Sequence, residues 1–243
     1  MKQIVLLSIL LALAVGCLVA TQVPNFSQEK LVTVAASEQT VSTRTEPINI
    51  TGVELPVLTA AGILVFDETS GIALYSKNEH EQLLPASTTK IMTAYTAIKN
   101  YGLNDVITVP LLKVDGQKMR LFYGERMSVE SLLYGLLVYS ANDAAEVLAY
   151  HFPGGRAAFI DEMNRNVARL GLKDTHFETP TGLDADHQYS SAFDLAMLAK
   201  TALTDPIFAR IVATKDIDLH AVDGLGDHKL KNVNVLLYLE SWA

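Results

Sequence analysis

A mixed α/β domain is the fold class this sequence predicts, and three observations carry that expectation. Two short β-type runs flank a glycine-containing turn, apolar residues recur at helical spacing from Pro85 onward, and nothing strand-like follows until the very end. The β-type runs are Gly62-Ile-Leu-Val-Phe66 and Ile72-Ala-Leu-Tyr75, and Asp67-Glu-Thr-Ser-Gly71 between them suits the turn of a hairpin. From Ser87 to about Asn100 the residues Ile91, Met92, Ala94, Tyr95, Ala97 and Ile98 are apolar on most faces, which predicts a buried helix.

Further helices are expected over about 128–139, from Asn142 to about Tyr150, and from about Arg156 to Leu170, where Gly171 is placed as a C-terminal stop. Ser191-Ala-Phe-Asp194 resembles a capping box that opens a fifth helix, and Asp205-Pro206 opens a sixth. A single hairpin is marginal by itself, so this pattern leaves most of a sheet unaccounted for.

The N-terminal part is organised differently. Ile4 to Ala20 is an uncharged apolar run behind Lys2, and as a helix it would span about 25 Å. It reads as an export signal or membrane anchor over residues 1–20, so the cytoplasmic membrane is a candidate partner through residues 4–20. Ala14-Val-Gly-Cys17 is similar to a lipoprotein cleavage box, although its first residue departs from the usual Leu. Residues 21–57, rich in Thr, Ser, Glu and Gln without helical period, are expected to form a flexible tether, and the folded domain is expected over 58–243.

Composition excludes several classes of function. The formal net charge is −8 and the basic residues are scattered, a poor match to a phosphate backbone, so no nucleic-acid partner is expected. Cys17 is the one cysteine, which rules out an intrachain disulfide and a cysteine-based metal site. The six histidines show no ligand spacing, so a zinc hydrolase is not expected and no metal or other cofactor is called for.

One motif carries chemistry. Ser87-Thr-Thr-Lys90 sets a hydroxyl and an amine on one face of a helix start. A serine hydroxyl is a weak nucleophile until a base takes its proton, and a desolvated lysine can be that base. Alone, Ser-x-x-Lys is weak: composition predicts about 0.6 matches by chance, and Ser27-Gln-Glu-Lys30 also fits, although it lies in the tether. Ser-x-Asn likewise occurs twice, at Ser76-Lys-Asn78 and at Ser140-Ala-Asn142, the second between two helices where side chains can face a cleft.

Context separates these alternatives. Leu84-Pro-Ala-Ser-Thr-Thr-Lys-Ile-Met-Thr-Ala94 resembles the nucleophile segment of the D-alanyl-D-alanine carboxypeptidases, the low-molecular-mass penicillin-binding proteins. Leu136-Leu-Val-Tyr-Ser-Ala-Asn-Asp-Ala-Ala145 is similar to their second motif, and Gly171 to Phe177, Pro180-Thr-Gly-Leu-Asp184 and His187-Gln-Tyr-Ser190 match a later stretch in the same order. The resemblance implies a serine β-lactamase/D,D-peptidase-like fold, a helical cluster on an antiparallel sheet. It implies Ser87 as nucleophile, Lys90 as its base, Ser140 as a proton relay and Asn142 as a substrate-binding residue. The implied substrate is the D-Ala-D-Ala end of a peptidoglycan stem peptide, met in the periplasm or at the outer face of the membrane. β-Lactam antibiotics are implied as inhibitors that acylate Ser87.

One departure stands beside the match. The family's third motif, Lys-Thr/Ser-Gly on a strand, does not occur, and the nearest string is Lys200-Thr-Ala202. The expectation is therefore a domain without its C-terminal strands, which leaves open an inactive remnant, a β-lactamase or a D,D-endopeptidase as alternatives.

Overall fold

A computed structural model describes Gly52 and residues 56–239, all within one compact unit that spans Thr45–Ala243. The export signal, Cys17, Ser27-Gln-Glu-Lys30 and nearly all of the tether lie outside the described residues.

The predicted hairpin forms from β1 (Ile63–Phe66) and β2 (Ala73–Lys77), antiparallel, with Val65 opposite Tyr75 and a bulge beyond it. Its turn closes because the Asp67 carboxylate accepts the Ser70 amide, at 2.6 Å, while Gly71 adopts a positive φ of 72°. Those Ser70 hydrogen bonds also hold the Asp67 carboxyl below the usual carboxylate range.

Pro85 precedes a 3₁₀ turn, Ala86–Thr89, which runs directly into α1 (Lys90–Asn100). The helix expected from Ser87 is thus α-helical only from Lys90 onward. Next come α2 (Val129–Val138), α3 (Asn142–Tyr150), α4 (Gly155–Leu170), α5 (Ala192–Leu203) and α6 (Pro206–Val212). The end signals act largely as the sequence suggested. Ser128 caps α2 by accepting the Ser131 amide, and Gly171 ends α4 in the left-handed region at φ 69°. Asp205 accepts the Ile207 and Phe208 amides before the proline that opens α6.

At α5 only half of the expected capping box forms. Ser191 accepts the Asp194 amide, but the Asp194 carboxylate turns to the Asp174 amide and the Thr175 hydroxyl instead. Buried between elements, that carboxylate cross-links two segments rather than closing its own helix.

Strands after Pro85 are the main correction to the sequence reading. β3 (Val106–Thr108) pairs with β4 (Arg126–Ser128), and β5 (Asp216–His220) pairs with β6 (Asp227–Lys231), both antiparallel. The first pair has three residues per strand, too few for a period to register. In the second, inward positions are taken by Ile217, Leu219, His228 and Leu230, and the charged residues between them mask the alternation. The described sheet is three separate two-stranded pairs, with β1–β2 resting on α5.

The core is helical. α2 lies at its centre with Leu132, Leu133, Leu136 and Val138 buried, flanked by α1, α3 and α6. A second apolar cluster joins Met92 of α1 to Phe159 and Met163 of α4 and to Phe177. Leu133 is fully buried, so Leu133→Ala should lower unfolding free energy by about 2–5 kcal/mol in urea titrations. The same truncation at Val235, 70% exposed, should change it by less than about 0.5 kcal/mol.

Candidate active site

The site begins with a tight turn. Ala86 takes a positive φ of 46°, which lifts Ser87 to the surface just before α1 turns inward with Lys90. Lys90 is only 3% exposed, and its ammonium donates to the Ser87 hydroxyl oxygen at 3.1 Å and to the Thr181 carbonyl at 2.6 Å. Burial pushes the Lys90 amine down from its ordinary 10.5 to about 8, because an uncompensated cation is costly away from water. A lysine poised there exists in part as a free amine near neutral pH.

The carbonyl that receives Lys90 is carried by a loop pressed onto the helix start. Thr93 of α1 donates to the Pro180 carbonyl at 2.7 Å, and Gly182, at φ 86°, packs so closely that a Cβ would lie 1.8 Å from the Ala86 oxygen. No other residue fits there. Gln188 secures the loop from behind. Its side-chain oxygen accepts the Glu178 and Thr179 amides and the Thr179 hydroxyl, and its Nε2 donates to the Leu183 carbonyl. An antiparallel bridge between Leu83 and Ser190 ties the same segment to the chain that enters the turn, and a second, His176–Tyr189, closes the segment on itself.

Ser140 follows α2 with a positive φ of 60°, and with Ser87 and Lys90 it lines one cavity of about 360 Å³. The remaining wall is mostly apolar, with Leu136, Leu137, Leu203 and Phe208 among its residues, which accounts for the low polarity around the amine. Three of the four sequence-predicted residues therefore meet at one hollow. Asn142 does not line it. Its Nδ2 donates to the Asp115 carbonyl at 2.8 Å and its backbone amide to the Gln117 carbonyl, so it anchors the 115–117 loop. Asp143 beside it accepts the Met119, Arg120 and Leu121 amides.

Residue reasoning gave no role to Thr181, Gly182 or Gln188. The string Pro180-Thr-Gly stood out as a family-like segment, but no local pattern says that its carbonyl meets a lysine 91 positions earlier. Ser76-Lys-Asn78 is set aside by position: Ser76 lies within β2, and the Asn78 side chain donates to the Ala61 carbonyl.

A serine and a desolvated lysine at a helix start, beside a helical core and antiparallel strands, define a protein of the penicillin-binding D,D-peptidase fold, and known structures agree. The chain is similar to a D-alanyl-D-alanine carboxypeptidase from Mycobacterium tuberculosis H37Rv, with TM-score 0.72, 30% identity, and 78% of this chain and 72% of that one covered. It is similar to the Streptomyces K15 DD-transpeptidase, with TM-score 0.71, 32% identity, and coverage of 78% and 79%. D-alanyl-D-alanine carboxypeptidase DacD of Escherichia coli K12 is 38% identical over 201 residues, which are 74% of this chain and 52% of that protein. The profile of the D-alanyl-D-alanine carboxypeptidase family matches residues 49–243, and the chain belongs to that family. It spans about half the length of the curated relatives it matches.

Nuclear magnetic resonance of Lys90 tests this geometry directly. Its side-chain resonances should titrate with a midpoint of about 8, and Gln188→Ala, by loosening the loop and admitting water, should move the midpoint up toward 10.5. Because the folded chain loses the Lys90 proton before the unfolded chain does, this residue makes stability rise with pH between about 8 and 10.5. A wild-type midpoint at the ordinary lysine value would contradict the site as described.

Proposed function

We propose that this chain carries the acylation machinery of a serine-type D-alanyl-D-alanine carboxypeptidase of peptidoglycan stem peptides. The observation that carries the reading is the Ser87–Lys90 pair, 3.1 Å apart with the amine depressed to about 8. Family membership and the similarity to D,D-peptidases supply the substrate class.

In this reading the free amine of Lys90 accepts the Ser87 proton as Oγ attacks the carbonyl carbon between the two terminal D-alanines. The tetrahedral oxyanion forms near the helix start, where backbone N–H groups favour negative charge. The C–N bond then breaks, Ser140 passes a proton to the departing amine, and D-alanine leaves. Water attacks the Ser87 ester, which frees the shortened stem peptide and returns the proton to the serine. Asn142 lies outside the cavity with one amide hydrogen on the Asp115 carbonyl, and its part in holding the substrate amide runs through the 115–117 loop that it anchors. A β-lactam enters by the same first step and stays on Ser87. The work is done outside the cytoplasmic membrane, to which residues 1–20 direct the chain. Residues 21–57 tether the catalytic domain, which extends over 58–243. No described helix is long and apolar enough to cross a membrane.

Fluorescent penicillin followed by peptide mass spectrometry tests the assignment. The adduct should sit on Ser87, vanish in Ser87→Ala, and form at least about 10²-fold more slowly in Lys90→Ala. The labelling rate should climb with pH through a midpoint of about 8, since only the unprotonated lysine can take the serine proton. An adduct on another serine, or Lys90→Ala labelling at the normal rate, would overturn it.

A further inference from the structure

Beyond the serine cavity, the loop between β3 and β4 has a composition that the reaction does not use. Leu111, Phe122 and Tyr123 are 82%, 57% and 75% exposed, and Lys113, Lys118 and Arg120 stand among them. This cationic, aromatic surface occurs on a chain of net charge −8.

Nearby acids do not cancel it. Asp143 gives its carboxylate to backbone amides, Glu125 is buried against His228, and Asp227 pairs with His220. Asp115 is exposed and, among the described residues, has no cation within ion-pair distance. Among the described residues Lys113, Lys118 and Arg120 have no acidic partner, and the Lys118 ammonium meets only the Val114 carbonyl.

The surface is also concave and built. A hollow of about 500 Å³ runs under Leu111, Lys113 and Tyr123, and a second of about 310 Å³ shares Lys118, Arg120 and Phe122 with it. Tyr139 lines the second hollow, and the next residue in the chain, Ser140, lines the serine cavity. Arg120 holds a φ of 66°, and Asp143 fixes it by accepting three successive amides. A strained backbone pinned by a buried carboxylate keeps the cations presented rather than collapsed.

We propose that these joined hollows are a docking track for the glycan–peptide polymer whose stem peptides reach Ser87. Sugar rings lay their apolar faces on Tyr123 and Phe122, and stem-peptide carboxylates meet Lys113, Lys118 and Arg120. The identity of the polymer rests on the function proposed above, whereas the concavity and charge of the surface are independent of it. Two hollows that share Lys118, Arg120 and Phe122 make one elongated concave surface, which suits an extended chain better than a flat lipid surface.

Co-sedimentation with purified insoluble peptidoglycan tests the track, with Ser87→Ala protein so that nothing is consumed. Lys118→Glu combined with Arg120→Asn should weaken binding by about tenfold or more, Asn being chosen because it tolerates a positive φ. Tyr123→Ala, at a position 75% exposed, should weaken it by about threefold and serves as a second variant with little effect on folding. Added salt should weaken wild-type binding and act little on the double variant. In Ser87-containing protein, penicillin labelling should stay at the wild-type rate in all these variants. Unchanged sedimentation of the variants would overturn the track. So would binding to phosphatidylglycerol vesicles without binding to peptidoglycan, or self-association, where either depends on Lys118, Arg120 and Tyr123. Binding that depends on Lys118, Arg120 and Tyr123, together with unsubstituted protein whose Ser87 takes up no penicillin, would uphold the track and remove only the proposed chemistry.

Discussion

Everything at this site depends on burying one amine. Lys90 projects from the first turn of α1 into a place where water is scarce, and the cost is met by two oxygens, the Ser87 hydroxyl and the Thr181 carbonyl. Neither is a carboxylate. A carboxylate partner would raise the lysine pKa and keep the proton in place, whereas neutral acceptors let desolvation prevail and bring it to about 8. The choice of partner is what separates a proton acceptor from a structural ion pair.

That choice places demands on distant parts of the chain. The Thr181 carbonyl must be held without slack, so Gly182 contacts the turn and Gln188 satisfies the loop's amides and carbonyls. The Thr89 hydroxyl under the turn is left as the one buried side-chain polar atom without a partner among the described residues. It lies 3.0 Å from where a Cβ on Gly182 would stand, beside the still closer Ala86 oxygen, so tight packing there leaves an unsatisfied hydroxyl.

The other side of the site follows a related principle. Asn142 and Asp143, at the start of α3, spend their side chains on the 115–121 backbone, and the buried Glu125–His228 pair closes the same loop against β6, with the ring also on the Met119 carbonyl. Buried polar groups of this kind tolerate little rearrangement, since removal of one partner strands the other away from water. A long loop with exposed leucine, phenylalanine and tyrosine is thereby given one shape.

The helices were legible in the chain alone, because their apolar period and end residues such as Gly171 and Asp205-Pro206 act over a single turn of chain. The sequence also singled out Ser87, Lys90 and Ser140, since residue type and i,i+3 spacing are local facts, and the flanking segments separated them from Ser27 and Ser76. Only the tertiary structure decided what surrounds them. The short strands β3 to β6 exist by pairing across the chain, not by their own pattern. Asn142 faces Asp115, 27 positions away, and Lys90 finds Thr181 91 positions away. A pKa is set by the solvent and partners around a group, so the chemistry of Lys90 became legible only when distant segments closed over it.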